Sequence, residues 1–137
     1  PGPVHFPLLG WSVFAQRLQP LIERDFYGKA PTASITAPDI KRAYYSSPAK
    51  DAIALEFNQP VIWKDELVSD FYLDDSAGKV ASGSVAGNVI TLKLKEPSTA
   101  KKIQYLKEMS WNQDRLLIGA NGLEALTFCD VEIGTGR

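Results

Sequence analysis

Cysteine occurs once in these 137 residues, at Cys129, so the chain forms no intramolecular disulfide and no thiolate cluster around zinc. No apolar run approaches the roughly 20 residues of a membrane-spanning helix. Nor does a basic segment lead into an apolar one near the N-terminus, so an exported parent would have lost its signal or carry it upstream of Pro1. An excess of one charge is also missing. Fifteen basic residues stand against 16 acidic ones, a net charge of -1 that offers no field to recruit nucleic acid or an anionic membrane. Histidine is as scarce as cysteine. The one copy, His5, has the only side chain whose ordinary pKa lies near neutrality, which makes it the candidate proton carrier.

What is present suits one domain with a short appendage: 45% of the residues are hydrophobic, enough for a core. The appendage reads as a helix. Leu9, Val13, Phe14, Leu18, Leu21, Ile22 and Phe26 recur at steps of three and four, with Gln16, Arg17, Gln19, Glu23 and Arg24 on the other side. Ser12 is placed as N-cap or within the first turn, Gly28 as the left-handed C-cap, and Pro31 bars continuation. Pro20 falls inside the pattern and is expected to bend or split the helix near Gln19. An amphipathic helix ahead of a β-domain either packs on that domain or belongs to a neighbour.

After Ala30 the texture changes to short β-type runs at 34–36, 41–45, 52–57, 71–73, 80–85, 89–94, 102–105 and 123–133. Ile53-Ala54-Leu55-Glu56-Phe57 and Ile90-Thr91-Leu92-Lys93-Leu94 alternate with a period of two, one face inward and one toward water. Gly87-Asn88 is a two-residue hairpin turn and Ser76-Ala77-Gly78-Lys79 a looser one. Crossover helices are lacking, so the expectation is a mainly β chain. It consists of an antiparallel β-sandwich of about eight strands over residues 31–137, preceded by an N-terminal amphipathic helix within residues 1–30. Cys129 falls in the last run, where a small buried thiol is expected.

The stretch Pro3-Val4-His5-Phe6-Pro7-Leu8-Leu9-Gly10-Trp11, continuing through the helix to Ile22, resembles the last sequence block of the SGNH, or GDSL-type, hydrolases. There an Asp-x-x-His motif precedes a helix that closes the catalytic domain. Ile53-Ala54-Leu55-Glu56-Phe57, the Val85 to Val89 hairpin and Ile118-Gly119-Ala120-Asn121-Gly122-Leu123-Glu124-Ala125-Leu126 are similar to the β-sandwich tail of sialate O-acetylesterase-like carbohydrate esterases. The resemblance implies a serine ester hydrolase with His5 as general base, no cofactor, an acetylated glycan as substrate, and a secreted or periplasmic setting. It also implies an upstream catalytic domain as partner, because this chain has no nucleophile or oxyanion block before His5. Gly2 stands where the family has its Asp.

Other residues invite chemistry. Asp75-Ser76 follows Asp74 rather than Gly and reads as a turn, not a nucleophile block. Asp70, Asp74 and Asp75 offer oxygen ligands without the spacing of a dedicated calcium loop, so no metal is assigned. Lys93, Lys95, Lys101 and Lys102 read as a solvated edge that discourages strand pairing. Trp63, beside Lys64-Asp65-Glu66, and Trp111, beside Asn112-Gln113-Asp114, are the aromatic candidates for stacking on a sugar. Two readings compete: the C-terminal part of an esterase, inactive alone, or a stand-alone, non-catalytic carbohydrate-binding or interaction module. In the first, the apolar helix stripe is free to form a homodimer once the catalytic domain is removed.

Overall fold

The computed structural model describes residues 8–107 and 112–135. They fall into two compact units divided between Thr36 and Ala37. The first is built on one helix, α1 (Leu8–Tyr27), which runs through Pro20 without interruption. Because α1 starts at Leu8, Ser12 lies beyond its first turn rather than at its cap. Gly28, at φ +64°, ends it in the left-handed conformation that glycine adopts without steric cost. The Lys29 amide then donates to the Glu23 carbonyl at 3.0 Å.

The second unit is mainly β, with two short 3-10 turns at Asp65–Asp70 and Gln113–Arg115. Among the described residues nine strands follow: β1 (Ile40–Tyr45), β2 (Ala52–Phe57), β3 (Val61–Ile62), β4 (Phe71–Leu73), β5 (Val80–Ala86), β6 (Val89–Leu94), β7 (Lys102–Tyr105), β8 (Ile118–Gly119) and β9 (Phe128–Thr135). Seven form one sheet in the order β4-β7-β9-β1-β2-β6-β5, and β3 pairs with β8 separately. The layers of the sandwich are the two halves of this curled sheet, which share one core. Ile53, Leu55 and Phe57 of β2 and Ile90, Leu92 and Leu94 of β6 enter it from one half. Phe71 and Leu73 of β4, with Ile103 and Tyr105 of β7, enter from the other. Burying a large apolar side chain stabilises the fold by about 1.5–3 kcal/mol, so this shared cluster is what opposes the entropy of ordering so many short strands.

The curl has a local cause in three bulges. Lys41 on β1, Ala81 on β5 and one of Cys129 and Asp130 on β9 are extra residues against their partner strands. Each bulge bends its strand and shifts the alternation by one residue. Hence Ile40 and Ala43, three apart, both turn to the core, as do Phe128 and Val131. At the turn between β5 and β6, Gly87 alone takes positive φ, at +61°, as the glycine-first hairpin turn requires. The Asn88 side chain fixes that turn by donating to the Phe57 carbonyl at 2.8 Å.

Four details depart from the sequence expectation. Residues 34–36 form no strand. The two-residue strands β3 and β8 are too short to leave a periodic signature. One pairing is parallel: β9, the last strand, lies beside β1, the first, with Ala43 opposite Ile133. Cys129 is exposed, because Phe128 before it takes the inward position.

Candidate functional site

His5 and Trp111, with Gly2, lie outside the described residues. Trp63 lies within them, and its position follows from the closure of the sheet. Its ring stacks on Phe71 of β4 at a centroid distance of 6.1 Å. It also covers Gly83 of β5, so that strands at opposite ends of the seven-strand order meet through one indole. The indole N–H donates to Asp65 Oδ1 at 3.0 Å. An aromatic ladder continues through the core from Phe71 to Tyr105 at 5.1 Å and from Tyr105 to Phe128 at 5.8 Å.

The three aspartates singled out in the sequence are brought to separate tasks. Asp70, buried at the end of the 3-10 turn that leads into β4, is held by Arg115, with Nη2 at 2.8 Å and Nε at 3.2 Å. A fork of this kind supplies both the charge and the hydrogen bonds a buried carboxylate needs. Asp74 accepts the backbone amides of Lys101 at 3.0 Å and Lys102 at 2.9 Å. Asp75 accepts from Gln104 Nε2 at 2.9 Å and pairs with Lys107 at 2.8 Å. Gln104 donates onward to Asp130 at 3.2 Å, which places a buried amide between two carboxylates on the outer face of the sheet. Sequence reading missed this arrangement. Alternation puts Gln104 on the outer face, but only the folded turn brings Asp75 and Asp130 over it.

Among the described residues no group of three or more His, Cys, Asp or Glu side chains converges as a metal site would require. Ser76 is engaged as a turn residue, exchanging backbone hydrogen bonds with Leu73 at 2.8 and 3.0 Å. The basic residues lie along exposed strand ends, where Lys102 Nζ stands 3.5 Å from Asp130.

Five groups among the described residues have titrations displaced away from neutrality. The Lys29 ammonium, then Gln19, holds the Glu23 carboxyl below its usual range, and the Arg24 guanidinium does the same for Asp25. Lys107, then Gln104, holds Asp75 down. Asp25 pushes Arg24 further up. Burial pushes Tyr105 up to about 12, offset in part by the Leu117 amide, which donates to its hydroxyl at 2.7 Å. None of these five groups is tuned for acid–base work near pH 7.

The surface of α1 is apolar over much of its length. Trp11 and Phe26 are 54% and 81% exposed, and Val13, Phe14, Leu18 and Ile22 are exposed as well.

No protein-family model and no curated protein matches this sequence. A solved structure of a carbohydrate acetylesterase from Xanthomonas citri is similar, with a TM-score of 0.60 and 18% identity over 85% of this chain. The chain spans 27% of that protein's length. The likeness is one of fold: this chain has the fold of part of a carbohydrate acetylesterase.

Proposed function

We propose that this chain is the C-terminal part of a carbohydrate O-acetylesterase of the SGNH type, directed at sialate-like sugars, in which the His5 block serves catalysis and the β unit is a non-catalytic accessory. The observation that carries the reading is the likeness of 85% of the chain to a carbohydrate acetylesterase more than three times as long. Two features support it. An amphipathic helix that follows the His5 block, with its apolar positions at steps of three and four from Leu9 to Phe26, suits a segment that closes a larger domain. His5, whose side-chain type has its ordinary pKa near neutrality, is the proton carrier in this reading.

In this mechanism a serine of the upstream domain attacks the acetyl carbonyl, and His5 accepts the hydroxyl proton. His5 then delivers that proton to the departing sugar oxygen, leaving an acetyl-enzyme. In the second half, water attacks the acetyl group with His5 again as base, and acetate leaves as the serine regains its proton. The imidazole must be oriented through its other nitrogen. Since Gly2 occupies the family's Asp position, a backbone carbonyl takes that role in this reading.

The test is hydrolysis of a chromogenic acetate by this chain alone and by the longest natural reading frame that contains it, each with and without His5→Ala. Activity is expected only in the longer protein, falling at least about a hundredfold on His5→Ala. No activity in either protein, or activity indifferent to His5→Ala, overturns the proposal.

A further inference from the structure

At the end of β1, where the chain turns into β2, a cavity of about 530 Å³ opens, lined by Tyr44, Tyr45, Ser46, Ser47, Lys50 and Thr135. Its volume lies within the range of small-molecule sites, about 300–1,000 Å³. Its walls come from adjacent strands, since Tyr45 of β1 stands opposite Thr135 of β9. The lining is rich in hydroxyls, two of which are engaged in holding the wall. Tyr45 Oη donates to the Ala100 carbonyl at 2.8 Å, and Ser47 Oγ bonds to the Asp51 carboxylate. Ser46 and Thr135 are exposed, and the half-buried Tyr44 adds an aromatic surface.

Among the described residues that line the cavity, Lys50 is the one that carries a charge, and its ammonium lies 5.4 Å from the centre of the Tyr45 ring. The neighbouring elements do not reverse that sign. Arg42 sits 5.1 Å over the Tyr44 ring and pairs with Glu56 at 2.6 Å, while Asp51 is turned to Ser47.

Lys50 also occupies a backbone position that ordinarily goes to glycine, with φ at +56°. The conformation is fixed from both sides: its amide donates to the Ser47 carbonyl at 3.1 Å, and its own carbonyl accepts from the Ser98 amide at 2.9 Å. Glycine would satisfy both bonds without steric cost, so a lysine here places an ammonium at the cavity at the expense of backbone ease.

We propose that this cavity binds an acidic sugar, a hydroxyl-rich ring bearing a carboxylate. The carboxylate meets Lys50 Nζ, the ring lies against Tyr44, and its hydroxyls meet Ser46 and Thr135. The inference does not rest on the esterase reading, because its test reads binding rather than hydrolysis.

The test is a nuclear magnetic resonance titration of the isotope-labelled full chain with tri-D-galacturonate, and with tri-D-galactose as the neutral counterpart. Saturable shifts are expected at the amides of Ser46, Lys50 and Thr135, with the neutral sugar at least about tenfold weaker. Lys50→Met keeps the stem over Tyr45 without the charge, and Lys50→Gly relieves the backbone. Both should weaken binding about tenfold or more, and Lys50→Gly should melt at or above the parent's temperature. No saturable shift up to about 10 mM, shifts confined to other residues, equal binding of the neutral sugar, or full affinity in Lys50→Met would each overturn it.

Discussion

The indole of Trp63 occupies the space that a side chain on Gly83 would need: a Cβ at that position would overlap Cζ2 and Cε2 of the ring. Trp63 thereby joins the strands at the two ends of the curled sheet, β5 through Gly83 and β4 through Phe71. Gly83→Ala must displace the ring, and overpacking of this kind costs about 1–3 kcal/mol. Urea denaturation followed by tryptophan fluorescence should register that loss. In a Trp63→Leu background the alanine should cost less, because the smaller side chain can yield. Equal cost in both backgrounds would mean that the two residues do not form the closure.

Most of the strands were legible in the sequence because alternation is a local signal. Ile53, Leu55 and Phe57 show it, and so do Ile90, Leu92 and Leu94. The helix was equally plain, and Gly28 marked its end. What the sequence hid were events that break the period. A bulge inserts one residue, so Phe128 and Val131 share a face although simple alternation would separate them. The parallel pairing of β1 with β9 joins residues some ninety positions apart, and no turn signal connects them. At the level of sites, Trp63 is legible as an aromatic beside Lys64-Asp65-Glu66, but its engagement with Gly83 depends on how the sheet curls. The cavity beside Lys50 was missed for a similar reason. Tyr44 and Tyr45 close the run 41–45 and are neighbours in sequence, whereas Thr135 reaches them only through the parallel pair.

Cys129 offers a direct check on the phase of β9. Phe128 turns inward, so the thiol faces outward and is exposed, contrary to the buried position expected of a small thiol in that run. The folded chain should therefore react with a thiol-specific chromogenic reagent to one equivalent without denaturant. Modification should leave the melting temperature nearly unchanged, as for a surface side chain. A thiol that reacts only after unfolding would place the bulge elsewhere on the strand.

Tyr105 bears on both stability and function. Its phenol is buried, accepts the Leu117 amide at 2.7 Å, and is pushed up to about 12 from its ordinary 10. A neutral phenol favoured by the fold contributes stability in full below pH 10, and loses it as pH rises toward 12, because the unfolded chain ionises first. Tyr105→Phe lacks that term and also leaves the Leu117 amide without its acceptor, at a cost of about 1–3 kcal/mol near neutral pH. The parent should thus be more stable at neutral pH, and the gap should narrow steadily as denaturation is repeated above pH 10. A gap independent of pH would mean that the phenol is not held neutral by burial. A narrowing gap would remove Tyr105 from consideration as an acid or base near neutrality. Any neutral inflection in the pH–rate profile of the longer protein, if it hydrolyses the acetate as proposed, would then have to disappear in His5→Ala for the proposed general base to stand.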